Sequence, residues 1–329
     1  MTTQPEPQPI CDPTDFLQIR HLAVSDEMSG FDSLPPAPSL GAKLALRFFG
    51  QEITNYGFNK LVKQHLNWGD WLPLSLEVHH GWYTLQAPRD ADLKKDLALI
   101  LVFNARQAEA WRRKSNVPVE ILGAPFIHYR RREGIVPAPA ARGTIAFPAH
   151  SGTIVETVFD VEQYCKNLAD LPAELQPVNI CMHDDDIKRG RHRDYLRRGF
   201  RVYSAGGRKG QDFAQNFYKI LAEHKYASSN VAGSYLLYSV EMGIPFFFCG
   251  PSAEFRNFET TDYESEPVLR QAGQLFKDFS SEITAEQLKF VLAESGMDDC
   301  AKAYQLRPRL QRAVLCQPFR KLFRKILNR

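Results

Sequence analysis

The sequence lacks any apolar run as long as a membrane-spanning helix. Its first residues, MTTQPEPQPICDP, are polar and rich in proline, without the apolar core of a secretory signal peptide. Both absences predict a cytoplasmic protein. A protein of that compartment can still lie peripherally on the inner face of the plasma membrane.

Cysteine is scarce and scattered. No two of the six cysteines form a C-x-x-C pair, and none is spaced with histidine as in a zinc site. Cys181 and Cys249 lie in apolar runs, which predicts buried thiols. We therefore expect a reducing compartment and no zinc site.

The chain has little net charge, +3 over 329 residues, and its basic residues are not interleaved with an aromatic stacking platform. This argues against a nucleic-acid partner. The glycine run 206–210 (GGRKG) lacks the spacing of a P-loop or of G-x-G-x-x-G, which argues against a kinase or a dinucleotide enzyme. With 44% hydrophobic and 24% charged residues, the composition is that of soluble globular domains.

What is present is an alternation of strand and helix patterns. The apolar run 97–104 (LALILVFN) predicts a strand of a parallel sheet that is covered on both faces. A helix is predicted at 107–114 and a second strand at 117–122, so residues 1–135 are expected to form an α/β domain. Residues 134–142, rich in proline and alanine, are predicted to be an interdomain linker.

The alternation restarts after this linker and predicts a second α/β domain at 143–300. Its strands are predicted at 143–147, 177–182 and 200–203, and its helices at 161–168, 194–198 and 212–224. Residues 280–312 are also predicted to be helical. Each strand ends in polar or glycine residues, at the edge where open parallel sheets bind ligands.

The segment 225–250 is predicted to contain a turn at Ser228, Ser229 and Asn230, a helix through Tyr235 and Met242, and a strand at 246–249. A polar turn before a helix offers backbone amides and the positive end of the helix dipole, which suits a phosphate. The simpler interpretation is that these side chains only cap the helix, and both uses have the same geometry.

Two α/β halves, the motif Phe147-Pro148-Ala149-His150-Ser151 and the later Ser228-Ser229-Asn230 together resemble the GT-B glycosyltransferases. The chain looks most like the bacterial capsule, lipopolysaccharide O-antigen and sialyltransferase-like enzymes, whose donor domain has a His-Pro motif and a later Ser-Ser motif. Here the order Pro-Ala-His replaces His-Pro.

The resemblance implies two Rossmann-like parallel-sheet domains that face a cleft, a nucleotide-sugar donor, and no metal or other cofactor. The implied phosphate contacts are His150 and the hydroxyl or amide side chains of the later motif, and a carboxylate on the next helix would reach the ribose. The implied donor-binding residues are His150, Ser151, Ser228, Ser229, Asn230, Gly233, Ser234 and Glu241.

Two residues are candidates for catalysis. His80, beside Gly81 at the end of a first-half strand, is a candidate general base, and the alternative is a histidine packed against Trp82 or Tyr83. In the run 183–186 (HDDD), three adjacent carboxylates on an extended loop cannot all face one metal ion. We therefore expect Asp184 or Asp186 to contact a substrate, and Asp186 is taken as catalytic.

The C-terminal segment 301–329 is predicted to end in a basic amphipathic helix. In PFRKLFRKILNR (318–329), apolar residues fall on one face and Arg or Lys on the other, which is typical of helices on anionic membranes. The alternative is a last helix that packs back on the first domain.

The leading functional prediction is a transferase that moves a sugar from a nucleotide donor to a hydroxyl of a cell-surface polysaccharide or lipid-linked glycan. Polyol-phosphate transferases are an alternative, because they also have a His-Gly pair in the first domain and a Ser-Ser turn in the second. A third is a non-catalytic assembly protein that binds a glycan or a nucleotide sugar and has no working base.

Overall fold

The computed structural model describes residues 16–28, 30, 55–69, 76–78, 81–82, 88, 90–93, 97–152, 155–256 and 266–327. The chain divides into two compact units, which we name by their sheets. The five-stranded unit comprises 1–33, 135–208 and 212–288, and the three-stranded unit comprises 34–134, 209–211 and 289–329. The predicted α/β class is confirmed.

The three-stranded unit contains a parallel sheet in the order β1-β2-β3, with strands β1 (Leu76–Val78), β2 (Leu99–Val102) and β3 (Val119–Ile121). Its first helices are α1 (Phe58–His65), α2 (Asp90–Leu93), α3 (Ala105–Lys114) and α4 (Pro125–Glu133). Strand β2 is buried throughout, as its continuous apolar run predicted. Trp111 of α3 packs in a core cluster with Ile100, Val102 and Val119.

The five-stranded unit contains a parallel sheet and a separate antiparallel pair. Its strands are β4 (Thr144–Phe147), β5 (Glu156–Val158), β6 (Val178–Cys181), β7 (Arg201–Tyr203), β8 (Tyr226–Ser229), β9 (Phe246–Phe248) and β10 (Glu254–Arg256). The parallel strands follow the order β7-β6-β4-β8-β9, whereas β5 pairs with β10. The sheet is therefore Rossmann-like.

Helices follow the strands of this unit in turn. They are α5 (Val161–Ala169), α6 (Asp184–Lys188), α7 (His192–Leu196), α8 (Phe213–Ala222), α9 (Ser234–Glu241) and α10 (Pro267–Leu275). Two more helices complete the chain, α11 (Ala285–Ser295) and α12 (Ala303–Leu327). No helix in the described part of the chain is both long and apolar enough to cross a bilayer.

The strand order creates a topological switch point between β4 and β8. The chain moves outward from β4 through β6 to β7, and then returns to the other side of β4 with β8 and β9. Phe147 and Ser229, the last residues of β4 and β8, are paired across this junction. Ligands of open parallel sheets bind outside the carboxyl ends of the strands at such a point.

Three local predictions are wrong. Ser228 and Ser229 belong to β8 rather than to a turn, because small buried side chains fit a central strand between β4 and β9. Asp184–Lys188 form helix α6, which His183 caps, instead of an extended loop. The helix predicted at 280–312 is interrupted between α11 and α12, where Gly296 has a φ of 69°.

The N-terminal segment belongs with the five-stranded unit, and the C-terminal segment belongs with the three-stranded unit. Near the N-terminus, the Val24 N–H donates to the Val202 carbonyl (2.8 Å), and Ala23 forms an antiparallel bridge with Tyr203. Near the C-terminus, α12 belongs with the three-stranded unit. The chain passes from the three-stranded unit to the five-stranded unit between Gly134 and Ile135, at the start of the predicted linker. The functional roles given to 1–135, 143–300 and 301–329 stay predictions.

Candidate functional site

The two motifs that suggested a donor site lie side by side at the switch point. Asn230, just after β8, accepts from the Ala149 N–H through Oδ1 (2.8 Å) and donates through Nδ2 to the Pro251 carbonyl (3.0 Å). One amide side chain thus joins the segments that follow β4, β8 and β9. Asn230 serves here as a connector of loops, with both ends of its side-chain amide engaged inside the protein.

A pair of stacked histidines lies at this carboxyl edge. The rings of His150, after β4, and His183, after β6, have centroids 4.8 Å apart and planes inclined by 24°. His150 is exposed, whereas the side chain of His183 is only 9% exposed. The sequence predicted a role for His150 but none for His183, because no sequence pattern indicated that the loops after β4 and β6 would meet.

His183 is held as a neutral ring. Its Nδ1 accepts from the Asp185 N–H (3.2 Å), so in the neutral ring the proton is on Nε2. Burial, followed by the charges of His150, Lys188, Arg208 and Arg189, lowers the pKa of His183 to about 3. At neutral pH this ring is therefore a hydrogen-bond donor at Nε2 and not a cation.

Asp186 anchors the loop that carries His150. Its carboxylate is 4% exposed and accepts from the Ser151 N–H (3.0 Å), while an Arg191 nitrogen lies 3.3 Å from Oδ1. Burial raises the pKa of Asp186, and the Ser151 amide, His150 and Arg191 oppose this shift. Arg191 also donates to Ser151 Oγ and to the Thr157 carbonyl, both at 2.9 Å. Asp186 and buried Ser151 thus hold the loop in place.

Ser228 and Ser229 are fully buried. Ser229 Oγ accepts from the Val231 N–H (3.1 Å) and lies 2.9 Å from the Tyr235 hydroxyl, which donates to the Val231 carbonyl. Ser228 Oγ has no hydrogen-bond partner within the described residues. Both predicted phosphate contacts are therefore side chains of the sheet interior.

The remaining predicted donor residues lie along α9. Gly233 precedes this helix in an extended conformation, and a Cβ there would lie 2.6 Å from the Tyr235 ring. Ser234, the first helical residue, hydrogen bonds with Tyr238. Glu241 is the last residue of α9, about 10 Å along the axis from Ser234. Glu241 thus lies at the opposite end of α9 from Ser234.

His80 lies outside the described residues, so its role stays a prediction. Its neighbour Trp82 is described and buried, and the indole Nε1 donates to Glu294 Oε2 (2.8 Å). Glu294 also forms an ion pair with Arg106 (2.8 Å).

Two basic side chains whose charges act on His183, those of Lys188 and Arg189, were missed from the sequence. Lys188 pairs with the buried Asp184, and Arg189 donates to the Gly152 carbonyl (2.8 Å). The basic run 188–193 (KRGRHR), which follows shortly after HDDD, could have indicated them. Neutral His183, exposed His150 and nearby cations make this edge suited to an anionic ligand. The described residues include no group of three or more His, Cys, Asp or Glu placed to hold a metal ion.

No protein-family model matches the chain, and no curated protein matches it. Among solved structures, the chain is similar to one described as "Glycosylation Associate Protein (Gap123) complex from Streptococcus agalactiae". The identity is 12% and the TM-score 0.31, over 70% of this chain and 45% of that one. The chain thus spans less than half the length of that protein, and at this TM-score the likeness supports no conclusion about fold or activity.

Proposed function

We propose that the chain is a GT-B glycosyltransferase that moves a sugar from a nucleotide-sugar donor to a hydroxyl of a cell-surface polysaccharide or lipid-linked glycan. The observation that carries this proposal is the stacked pair of His150 and His183 at the carboxyl edge of the five-stranded sheet, beside its switch point. Sheets of this order bind nucleotides at such a point.

The chemistry of this edge fits a phosphate that leaves with negative charge. His183 is a neutral ring with its proton on Nε2, and His150 lies against it with an exposed ring. The Arg189 and Arg208 side chains are near enough to affect the pKa of His183. Preorganised donors of this kind stabilise the charge that develops on a leaving phosphate.

Within the proposal, His150 and His183 contact the donor phosphate, and Asp186 and Ser151 position the His150 loop. Ser228, Ser229 and Glu241 have no direct part, because the two hydroxyls are buried and Glu241 ends the helix. His80 is proposed as the base that removes the acceptor proton. Donor binding needs no metal in this scheme.

Nucleotide binding tests the proposal through thermal stability. A ligand at 100 times its Kd stabilises the folded state by about 2.7 kcal/mol, which raises the Tm by about 5 °C or more. We expect such a shift with one nucleotide among CMP, CDP, UDP and GDP. His150→Ala should abolish it, and the matched control His21→Ala, an exposed histidine of the same unit, should retain it. No shift with any of the four would refute the proposed site.

A further inference from the structure

In the part of α12 whose side chains the structure describes, one apolar face is buried and another is exposed. Leu306, Leu310 and Val314 are each at most 2% exposed, and the helix packs near β2 of the three-stranded unit. Among the residues of α12 whose side chains the structure describes, three are large, apolar and 64–70% exposed: Tyr304, Leu315 and Phe319.

The three exposed residues form one line along the helix. Their spacings are 11 and 4 residues, so at 3.6 residues per turn they lie within a sector of about 60°. Arg312 lies at one side of this sector and Arg307 at the other, and both are exposed. We call these five residues the α12 stripe.

Positive charge is concentrated in the same part of the chain. The last 29 residues contain nine of the 41 Lys and Arg residues and none of the 38 Asp and Glu residues. The rest of the chain therefore has a negative balance. This asymmetry gives α12 an electrostatic preference that the small net charge of the whole chain conceals.

We propose that the α12 stripe binds the surface of an anionic lipid bilayer. An apolar line with aromatic residues, bordered by arginines, is the pattern of a helix that lies in the interface. Tyr304, Leu315 and Phe319 enter the boundary between headgroups and acyl chains, and Arg307 and Arg312 lie among the lipid phosphates. The opposite face of α12 packs on the three-stranded unit, so binding of the stripe holds this unit at the membrane. This inference does not depend on the proposed catalytic function.

Vesicle sedimentation with the full chain tests the inference. We expect binding to phosphatidylcholine vesicles that contain about 30% phosphatidylglycerol, weaker binding at high salt, and little binding to pure phosphatidylcholine. Arg307→Gln with Arg312→Gln should lower the partition coefficient about 25-fold, which is about 5-fold for each arginine. Leu315→Ser with Phe319→Ser should lower it at least as much.

Matched controls lie on the five-stranded unit. Lys166→Gln with Arg197→Gln removes two exposed cations, and Val136→Ser removes an exposed apolar side chain. Neither control should change the partition coefficient, and circular dichroism should show that every variant is folded. Three results would each overturn the inference: no binding to anionic vesicles, equal binding to neutral ones, or equal losses in the control variants. Self-association that Leu315→Ser abolishes, without lipid binding, would instead assign the stripe to a second copy of the chain.

Discussion

Asp186, which the sequence predicted to be catalytic, is a carboxylate with partners inside the protein. Its carboxylate fixes the Ser151 amide and the Arg191 guanidinium, and it is almost completely buried. A carboxylate in that position shapes the loop that carries His150, and it presents little surface to a substrate.

Asp186→Ala is expected to lower the free energy of unfolding by about 2–3 kcal/mol, because the Ser151 amide loses its acceptor and Arg191 loses its ion-pair partner. Urea unfolding followed by circular dichroism measures this. The control Asp194→Ala removes a more exposed carboxylate that pairs with Arg197, and it should cost less than about 1 kcal/mol. Equal effects of the two substitutions would contradict the anchoring role.

His224 is expected to make stability depend on pH. It is fully buried, its Nδ1 donates to the Ile220 carbonyl (2.7 Å), and its Nε2 accepts from Asn179 Nδ2 (2.9 Å). Burial lowers its pKa from 6.5 to about 4. Between these values the unfolded chain binds a proton that the folded chain does not, so stability falls as pH decreases through this range.

The loss attributable to His224 is about 3 kcal/mol between pH 6.5 and 4, and none is expected above pH 6.5. Urea unfolding at a series of pH values measures it. His224→Gln should flatten the dependence by this amount, although the half-buried His65 and His183, whose pKa values are also lowered, will leave a residual slope of the same sign. The exposed His21→Gln should leave the profile unchanged, and an unchanged profile in His224→Gln would exclude the assignment.

At the scale of elements, continuous apolar runs were the reliable signal. Strand β2 followed from such a run, because a strand buried on both faces is almost entirely apolar. The same reasoning failed for Ser228 and Ser229, because the sequence alone does not distinguish serines in a buried central strand from serines in a turn. The interruption before α12 was missed because it involves a close approach to Phe103, which is far away in the sequence.

That contact involves Gly296, whose φ is 69° and where a Cβ would lie 1.6 Å from the Phe103 carbonyl oxygen. Gly296→Ala is expected to lower the free energy of unfolding by about 3 kcal/mol or more, from backbone strain and this clash. Gly134→Ala has nearly the same φ but no atom within 4 Å of the new Cβ, so it should cost only about 1 kcal/mol. Urea unfolding of both variants isolates the steric part, and similar losses would contradict it.

At the scale of the molecule, the sequence predicted two α/β regions and a donor site at the strand ends of the second. It could not predict that His183 stacks on His150 or that Arg191 holds the loop, because these contacts join segments that no local pattern connects. The pairing of Ala23 and Val24 with β7 was unpredictable for the same reason, whereas a last helix packed on the first domain was one of the two alternatives for 301–329.

The proposed catalytic role of His80 is tested in the whole protein. His80→Ala should reduce the turnover of the nucleotide-sugar donor by about 10²–10⁴-fold, because the acceptor hydroxyl loses its base. The nucleotide-dependent Tm shift should be retained. Release of nucleotide from the donor, measured over time, is the readout. A wild-type protein that binds the nucleotide but never turns the donor over would favour the non-catalytic assembly protein.

The N-terminal segment also affects how the protein can be handled. Ala23 and Val24 pair with Tyr203 and Val202 and so cover the outer side of β7, the last strand of its sheet. An uncovered strand at that position is a template for pairing with other chains. Removal of the residues up to Val24 would therefore expose the edge of β7 and promote aggregation through strand pairing.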